Sequence, residues 1–195
     1  MRIMKEKILI HTCCGPCLLS ALFSLGEYDL TAFYCNSNIF PQDEYVKRRD
    51  NTIKVCREKS INFVECSYDH SAWLSFVSKL ASFQNFPEGG DRCLLCFEFR
   101  IRKTAEYARQ HSFQIIATTL SSGSNKNAKV INAIGERIAS EYGLKFLPAD
   151  FKKRGGFEFS IKECRRLGIY RQNYCGCEFS IRRGRQNSAS DKISS

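Results

Sequence analysis

The fold is decided by the stretch KILIHTCCGPCLLSALFSL, which occupies residues 7–25. An apolar run at residues 8–10 is typical of a buried strand, and the apolar residues at 18–25 are compatible with a helix. The sequence therefore predicts that a first strand turns directly into a first helix. Three thiols fall at this turn: Cys13, Cys14 and Cys17.

A strand-to-helix turn gives thiols a distinctive chemical environment. In an open α/β sheet, ligands bind outside the carboxyl ends of the strands, where helix N-termini offer unpaired backbone N–H groups. The positive end of the helix dipole lowers the pKa of a nearby thiol and favours the thiolate, which is the form that binds metals. We therefore treat this turn as a candidate site.

Segments typical of strands and helices alternate after this turn. Further strands are predicted near residues 30–35, 61–66, 114–119 and 145–147. Helices are predicted near residues 43–59, 71–80, 94–108 and 130–142. This alternation implies right-handed βαβ crossovers and a mostly parallel sheet. The expected fold class is a single Rossmann-like α/β domain, similar in architecture to the adenine nucleotide alpha hydrolases, which are ATP pyrophosphatase-like.

Length and composition are those of one globular domain. The chain has 195 residues, of which 43% are hydrophobic, and it contains no run of about 18 apolar residues that would cross a membrane. Residues 1–181 are expected to form the domain and residues 182–195 a basic, flexible tail. No signal-peptide pattern is present, so a cytoplasmic protein without a membrane partner is expected.

The chain contains eleven cysteines, an odd number that favours metal binding or catalysis over a disulfide framework. Seven of them fall in three clusters: Cys13, Cys14 and Cys17; Cys93 and Cys96; Cys175 and Cys177. If these clusters converge on one sheet edge, they can supply a four-cysteine iron-sulfur cluster and leave ligands for a second metal. A structural zinc site is the alternative, although it needs only four ligands.

The other four cysteines lie within apolar patterns and are interpreted as small buried hydrophobic residues: Cys35, Cys56, Cys66 and Cys164. Asp69 follows the third strand and is a candidate catalytic residue or metal ligand, or else a turn and helix-cap residue. His11 either donates to a thiolate or is a core histidine with satisfied hydrogen bonds. Lys126 ends a polar turn at residues 121–126 that is suited to phosphate or ribose binding.

The net charge of +10 is concentrated near the C-terminus, since residues 151–195 hold eleven basic and four acidic side chains. Such a field favours a polyanionic partner, and nucleic acid is the commonest one in the cytoplasm. Cations alternate with aromatic residues before the last cysteine cluster: Arg165, Arg166, Tyr170, Arg171 and Tyr174. This pattern suits stacking on unpaired RNA bases and binding of phosphates, and a solvated helix face is the alternative.

Six ordered motifs together resemble the cobalamin-independent epoxyqueuosine reductases of the QueH type. They are His11-Thr12-Cys13-Cys14-Gly15-Pro16-Cys17, Asn38-Ile39-Phe40-Pro41, the run EGGDRCLLCF at residues 88–97, Thr118-Thr119-Leu120-Ser121, Asp150-Phe151-Lys152-Lys153 and the run YRQNYCGC at residues 170–177. The resemblance extends over about residues 8–180. The chain departs from the family pattern at Ser37, where a proline is common, and at residues 121–125.

The resemblance implies reduction of epoxyqueuosine to queuosine at the wobble position of tRNA, the last step of queuosine biosynthesis. It also implies a 4Fe-4S cluster, a neighbouring mononuclear iron or other divalent metal, and an electron donor that the sequence does not identify. The implied cofactor ligands are Cys13, Cys14, Cys93, Cys96, Cys175 and Cys177, with Cys17 and Asp69 as further metal ligands. The implied tRNA-binding residues are Lys126, Arg165, Arg166, Arg171 and Tyr174.

Three other functions remain open from the sequence. An iron-sulfur tRNA thiolation enzyme of the ATP pyrophosphatase type would share the fold and the substrate, but cysteines occupy the place of its glycine-serine loop after the first strand. A non-catalytic RNA-binding module stapled by zinc would leave three thiols surplus. A thioredoxin-like enzyme would require only one of the cysteine clusters.

Overall fold

A computed structural model describes residues 5–123 and 126–181. Its centre is a five-stranded sheet whose strands are β1 (Lys7–His11), β2 (Asp29–Tyr34), β3 (Asn62–Glu65), β4 (Ile115–Thr118) and β5 (Lys145–Phe146). The strand order is β3-β2-β1-β4-β5, and every neighbouring pair is parallel. The predicted fold class, a single α/β domain with a parallel sheet, is confirmed.

The part of the chain that the structure describes contains six helices, five of which cover the two faces of this sheet. They are α1 (Gly15–Leu22), α2 (Gln42–Glu58), α3 (His70–Val77), α4 (Asp91–Gln110), α5 (Ala128–Glu141) and α6 (Gly156–Leu167). Short 3₁₀ turns lie at Phe83–Asn85, Thr119–Ser122 and Glu178–Ser180. Helix α6 is an addition to the elements predicted from hydrophobic periodicity.

Strand β1 is buried on both faces and separates two hydrophobic cores. Because successive side chains of a strand point to opposite faces, Ile8 and Ile10 pack with α1, α2 and α6, whereas Leu9 packs with α4 and α5. A sheet covered on both faces explains why β1 reads as a continuous apolar run. The same packing fixes the carboxyl end of β1, where the first cysteine cluster begins.

Strands β1 and β4 lie side by side, but the helices that follow them lie on opposite faces of the sheet. Helix α1 belongs to one core and α5 to the other. The connections after the two strands therefore diverge and open a crevice, which is where ligands bind in sheets of this topology. Residues 13–17 and the turn Thr119–Ser122 line its two sides.

Two of the four cysteines that were interpreted as free buried residues form a disulfide instead. Cys35 and Cys66 are bonded, and their Cα atoms lie 5.1 Å apart. Each is the first residue after a strand, and the register pairs Tyr34 with Glu65, so the two thiols meet across neighbouring strand ends. The interpretation is wrong for this pair and confirmed for Cys56 and Cys164, which are free and buried.

Two of the sequence predictions concern the extent of the domain and its relation to membranes. The basic tail predicted at residues 182–195 lies outside the described residues. Within the part of the chain that the structure describes, no helix is long and apolar enough to cross a membrane.

Candidate metal centre

The first cysteine cluster forms a compact group of sulfurs at the crevice. The ligand atoms of Cys13, Cys14 and Cys17 all lie within 4.8 Å of one another, and the sulfurs of Cys13 and Cys14 are 3.9 Å apart. Cys14 is the N-cap of α1 and has an extended backbone conformation. Pro16 lies in the first turn of the helix, where a backbone N–H would have no partner within the helix, and proline has no N–H. The local sequence therefore directs three sulfurs towards one point.

The three thiols of the first cluster influence one another's pKa through hydrogen bonds. Hydrogen bonds from Cys14 and Cys17 lower the pKa of Cys13 well below its ordinary value. The same interaction with Cys13 raises the pKa of Cys14 to about 12 and raises the pKa of Cys17. The hydrogen bonds therefore favour the thiolate of Cys13 over those of Cys14 and Cys17, and binding of a metal ion would require all three ligands to lose their protons.

The turn after β4 fixes this group of sulfurs from the opposite side of the crevice. The backbone N–H of Cys13 donates to Thr119 Oγ1 at 3.1 Å, and the Thr119 hydroxyl lies 3.3 Å from the Cys13 sulfur, to which it donates. The Ser122 hydroxyl donates to the Cys17 carbonyl at 3.3 Å. The turn at Thr119–Ser122 thus supports the first cluster, a role that the sequence prediction did not assign to it.

The other two cysteine clusters form a second group, which the helix α4 and the C-terminal segment bring together. Burial raises the pKa of Cys96 to about 12, and the nearby charges of Cys175, Cys177 and Cys93 act in the same direction. The Gly89 N–H donates to the Cys93 sulfur at 3.2 Å. These four thiols are therefore close enough for their charges to interact, although the two pairs are about 80 positions apart in the sequence. Among the described residues, the compact group with all sulfurs within 4.8 Å is the first cluster.

A cavity of about 200 Å³ joins the two groups of thiols. Cys13 and Cys17 line it from one side and Cys175 from the other. The Gln172 side chain spans between them, because it also lines the cavity and its Nε2 lies 3.0 Å from the Cys14 sulfur. The three clusters thus share one sheet edge, and their role as metal ligands remains a prediction.

Arg48, which the sequence prediction missed, holds the C-terminal segment in place. Its guanidinium donates to the carbonyls of Tyr174 and Cys175 at 3.2 and 3.0 Å and pairs with Glu44 at 2.6 Å. Gly176 has a φ of +122°, and a Cβ there would lie 2.9 Å from Arg48 Nη1. Only glycine fits this close approach, so the Cys-Gly-Cys motif has a steric as well as a chemical basis.

His11 is a core histidine with satisfied hydrogen bonds, one of the two roles considered from the sequence. Burial, with the charge of Arg100, lowers the pKa of His11 to about 3, so the ring is neutral. Its Nε2 lies 3.3 Å from both Arg100 Nε and the Cys35 carbonyl, and its Nδ1 lies 3.0 Å from Thr118 Oγ1, so both ring nitrogens have hydrogen-bond partners.

Asp69 acts as the N-cap of α3 rather than lining the cavity. Its carboxylate accepts from the Ala72 N–H at 2.9 Å and the Ser71 hydroxyl at 2.7 Å, and these bonds lower its pKa. The carboxylate is exposed. The structure does not bring it to the thiols, so the capping role is observed and the metal role stays a prediction.

Lys126, predicted to bind tRNA, lies in the cavity wall. Its ammonium is 3.2 Å from both the Cys175 sulfur and Glu88 Oε1. Burial acts to lower the pKa of Lys126, but the charges of Cys175 and Cys93 outweigh it and raise the pKa, so the side chain is a cation. Lys126 therefore contacts a thiol directly, in addition to lining a cavity that could hold a substrate.

The other predicted tRNA-binding residues lie at and beyond the cavity rim. Tyr174 lines the cavity and donates to the Phe40 carbonyl at 2.7 Å. Arg165 is exposed on α6, and Arg166 next to it is bound to Glu163 at 2.9 Å. Arg171 packs over the ring of the exposed Phe157. The structure leaves their role in RNA binding as a prediction.

Tyr170 is less available for base stacking than the sequence pattern suggests. The Lys47 ammonium lies 3.6 Å from the centroid of its ring, and its hydroxyl donates to Glu44 at 3.2 Å. The Arg48 guanidinium likewise lies 4.9 Å from the centroid of the Tyr174 ring, so both tyrosines of the basic segment contact cations of the chain itself.

Comparison with known proteins identifies the family. A family model described as epoxyqueuosine reductase QueH matches residues 8–183, which is most of the chain. The chain belongs to this family. The resemblance found in the sequence motifs is confirmed, and the enzyme class for which the family is named, an oxidoreductase, agrees with the predicted one.

Individual QueH proteins match over most of their length. The epoxyqueuosine reductase QueH of Streptococcus pyogenes serotype M1 is 36% identical over 92% of this chain and 72% of its own. That of Thermotoga maritima is 36% identical over 93% of this chain and 94% of its own. That of Acinetobacter baylyi is 33% identical over 96% and 88%.

A solved structure supports the fold. The U34-tRNA thiolase NcsA from Methanococcus maripaludis, determined with its [4Fe-4S] cluster, matches with a TM-score of 0.56 and 13% identity. The match covers 91% of this chain and 62% of the thiolase chain. At this identity the likeness shows a shared architecture, which agrees with the ATP pyrophosphatase-like fold expected from the sequence.

Proposed function

We propose that this QueH protein reduces epoxyqueuosine to queuosine in tRNA, using an iron-sulfur cluster and a neighbouring metal ion held by the thiols at the crevice. One observation carries the proposal: Cys13 and Cys17 from one end of the chain and Cys175 from the other line one cavity at the switch point of the sheet. The Cys14 sulfur lies within 4.8 Å of those of Cys13 and Cys17, and the charges of Cys93, Cys175 and Cys177 act on Cys96. A purely structural metal site would need about four ligands and no cavity.

The donor set fits the proposed metals. Thiolates are the usual ligands of iron-sulfur clusters, and three sulfurs within 4.8 Å of one another are spaced for a shared metal group. The proposed ligands are Cys13, Cys14, Cys17, Cys93, Cys96, Cys175 and Cys177. Asp69 would reach a metal only if it gave up its capping hydrogen bonds to Ser71 and Ala72.

The proposed reaction removes the epoxide oxygen as water and restores a double bond, so it consumes two electrons and two protons. When bound, the cluster supplies electrons one at a time, and the neighbouring ion supplies a Lewis acid for the epoxide oxygen. The chain itself contributes the cavity, whose lining includes the Lys126 cation and the Gln172 amide. The Gln172 Oε1 has no hydrogen-bond partner among the described residues and can accept from a polar substrate.

The proposed partners are tRNA that carries epoxyqueuosine and an unidentified electron donor. Tyr174 at the cavity rim is suited to stack on a base, and Arg165, Arg166 and Arg171 are suited to bind phosphates near it. Support for this placement comes from Tyr174, which is shared between the cavity and the basic segment.

The test is metal analysis followed by activity. Protein isolated without oxygen should contain about four to five irons per chain together with acid-labile sulfide, and with dithionite it should convert epoxyqueuosine in tRNA to queuosine. Stoichiometric zinc without sulfide would reject the reductase proposal in favour of a zinc-stapled RNA-binding module. Modification that requires ATP would favour the thiolation alternative.

A further inference from the structure

Helix α4 carries two arginines that are buried without an acidic partner. Arg92 is 1% exposed and Arg100 is 2% exposed. Across residues 5–123 and 126–181, neither guanidinium lies within 4.0 Å of a carboxylate. An arginine keeps its proton at any ordinary pH, so both positions hold a fixed positive charge inside the protein.

Other arginines of the chain do have acidic partners. Arg48 is also 2% exposed, but it lies 2.6 Å from the Glu44 carboxylate. Arg102, two residues after Arg100 on the same helix, pairs with Glu98 and Glu141 at the surface. Burying an ion without a counter-charge costs several kcal/mol, so an unpaired buried guanidinium indicates that a negative charge belongs beside it.

The hydrogen-bond partners of the two guanidinium groups are neutral. Arg100 donates to His11, whose ring is uncharged, and to the Asn36 amide oxygen. Arg92 Nη1 donates to the carbonyls of Phe83 and Gln84 at 2.9 and 3.2 Å. Its Nε and Nη2 are buried and have no hydrogen-bond partner within the described part of the chain, and the guanidinium lies 4.9 Å from the centroid of the Phe179 ring, which carries no charge.

Both arginines adjoin the thiols. Arg92 precedes Cys93 in the first turn of α4, and Arg100 lies one helical turn after Cys96, on the same face. Arg100 lines the cavity together with Cys13 and Cys17. The charge of Arg92 acts on Cys177, and that of Arg100 acts on both Cys13 and Cys96. The anion that these cations lack must therefore form at the thiols.

We propose that Arg92 and Arg100 are positioning residues that serve as the counter-ions of an anionic metal-thiolate centre and raise its reduction potential. The proposal rests on the function proposed above, because it concerns the metal that the thiols would hold. A cluster with thiolate ligands becomes more negative when it accepts an electron, and a fixed cation beside it favours the reduced state. N–H groups that point at sulfur have the same effect.

The decisive measurement is the one-electron midpoint potential of the cluster in metal-loaded protein, by anaerobic titration with dithionite. Replacing either guanidinium by an apolar chain, in Arg92→Met or Arg100→Met, should lower the equilibrium constant for reduction about tenfold, or about 59 mV for one electron. Arg100→Lys should keep at least half of the effect. Arg102→Met, on the same helix with its charge already paired, should leave the potential unchanged.

Thermal stability without metal supplies a readout that does not depend on the cluster. A counter-ion is an uncompensated charge in the metal-free protein, so metal-free Arg100→Met should melt no lower than the metal-free wild type. The loaded variant should melt lower than the loaded wild type. Equal destabilisation of both forms, with unchanged potential, would overturn the proposal and leave Arg100 as a purely structural residue.

Two further outcomes separate this proposal from others. A higher KM for tRNA with an unchanged potential would overturn it and indicate that the guanidinium groups bind a substrate anion. If the wild type holds zinc and no sulfide, the proposed reductase function fails, and zinc titration becomes the test. Lower zinc affinity of Arg92→Met and Arg100→Met would then support the counter-ion role, whereas equal affinity would overturn it.

Discussion

The chain has cysteines in two contrasting regions, the sheet edge around the cavity and the apolar core between α2 and α6. In the core, Cys56 and Cys164 are free and packed among aliphatic side chains, and burial alone raises the pKa of Cys56 to about 12. At the edge, N–H groups of Gly89, Lys126 and Gln172 lie 3.0 to 3.2 Å from sulfurs. In the core, the donors near the Cys164 sulfur are more distant, with Arg171 Nη1 at 3.8 Å and the Ser160 hydroxyl at 4.0 Å. Burial is common to both regions, so short N–H contacts to sulfur are what distinguish the edge.

This contrast shows how the fold distributes its polar groups. The core region is fastened by an ion pair at its rim, in which Lys59 of α2 lies 2.7 Å from Glu163 of α6. The edge region instead collects cations around groups that become anionic when they bind metal. A cysteine-to-alanine change should therefore have different consequences in the two regions.

The largest expected effect comes from removing an edge thiol. Cys93→Ala or Cys96→Ala should lose most of the iron and sulfide and all detectable reductase activity, because a proposed ligand is missing. Iron and sulfide content per chain after anaerobic isolation measures this.

The matched changes in the core are Cys56→Ala and Cys164→Ala. They should lower the free energy of unfolding by about 1 kcal/mol, because they delete one buried heavy atom, and should leave the iron content unchanged. If the edge and core variants held equal iron, the distinction between the two regions would be wrong.

A smaller effect is expected at the surface of α6. Arg165 is exposed and unlike Arg166 has no ion pair among the described residues, so Arg165→Glu changes the charge without breaking an internal contact. We expect tRNA affinity to fall several-fold and the slope of log K against log salt to decrease by about 1. Filter binding over a range of salt concentrations measures both.

The control for Arg165→Glu is Arg109→Glu, the same charge reversal in the last turn of α4, at the far end of that helix from Cys93. It should change tRNA affinity less than Arg165→Glu does. Equal losses for both variants would mean that net charge, and not this surface, determines binding.

The smallest effect concerns pH and the ion pair of the core region. Hydrogen bonds from Arg166 and Lys59 lower the pKa of Glu163 to about 2, below the ordinary carboxyl value of 4.5. The pair therefore stabilises the fold above about pH 4.5 and loses that contribution as the pH falls towards 2. Because both cations are partly exposed, we expect at most about 1 kcal/mol.

The variant Glu163→Gln tests this contribution. Chemical denaturation should give a lower free energy of unfolding than the wild type at neutral pH, and the difference should shrink from pH 4.5 downwards. A difference that stayed constant with pH would show that the Glu163 charge does not fasten α6 to α2.

The sequence was sufficient to predict the sheet and to single out the three cysteine clusters as candidate ligands. Hydrophobic runs such as Ile8 to Ile10 carry the strand signal directly, and cysteine spacing is visible without a structure. The Cys35–Cys66 disulfide was missed because it depends on the register of β2 and β3. A cysteine directly after each of two neighbouring predicted strands is the pattern that would have predicted this disulfide.

Long-range charge pairing was the other limit of the sequence prediction. In the sequence, Arg48 and Arg100 resemble ordinary charged residues of a helix. Only the packing shows that Arg48 donates to the Cys175 carbonyl and that Arg100 lines the cavity without an acidic partner. Asp69 illustrates the reverse case, since its position after a strand suggested a ligand and the local turn made it a cap. The sequence therefore predicted which residues are chemically suited to a site, but it did not predict which residues far apart in the chain contact one another.

The clasp between Arg48 and the Cys175 carbonyl joins residues 127 positions apart. Cys175 and Cys177 are synthesised long after Cys13, Cys14 and Cys17. We therefore expect cofactor insertion to wait until residues 170–177 have been made and have docked against Arg48, as a late maturation event. Nascent chains that stop before Cys175 should fold their sheet and remain unable to retain iron.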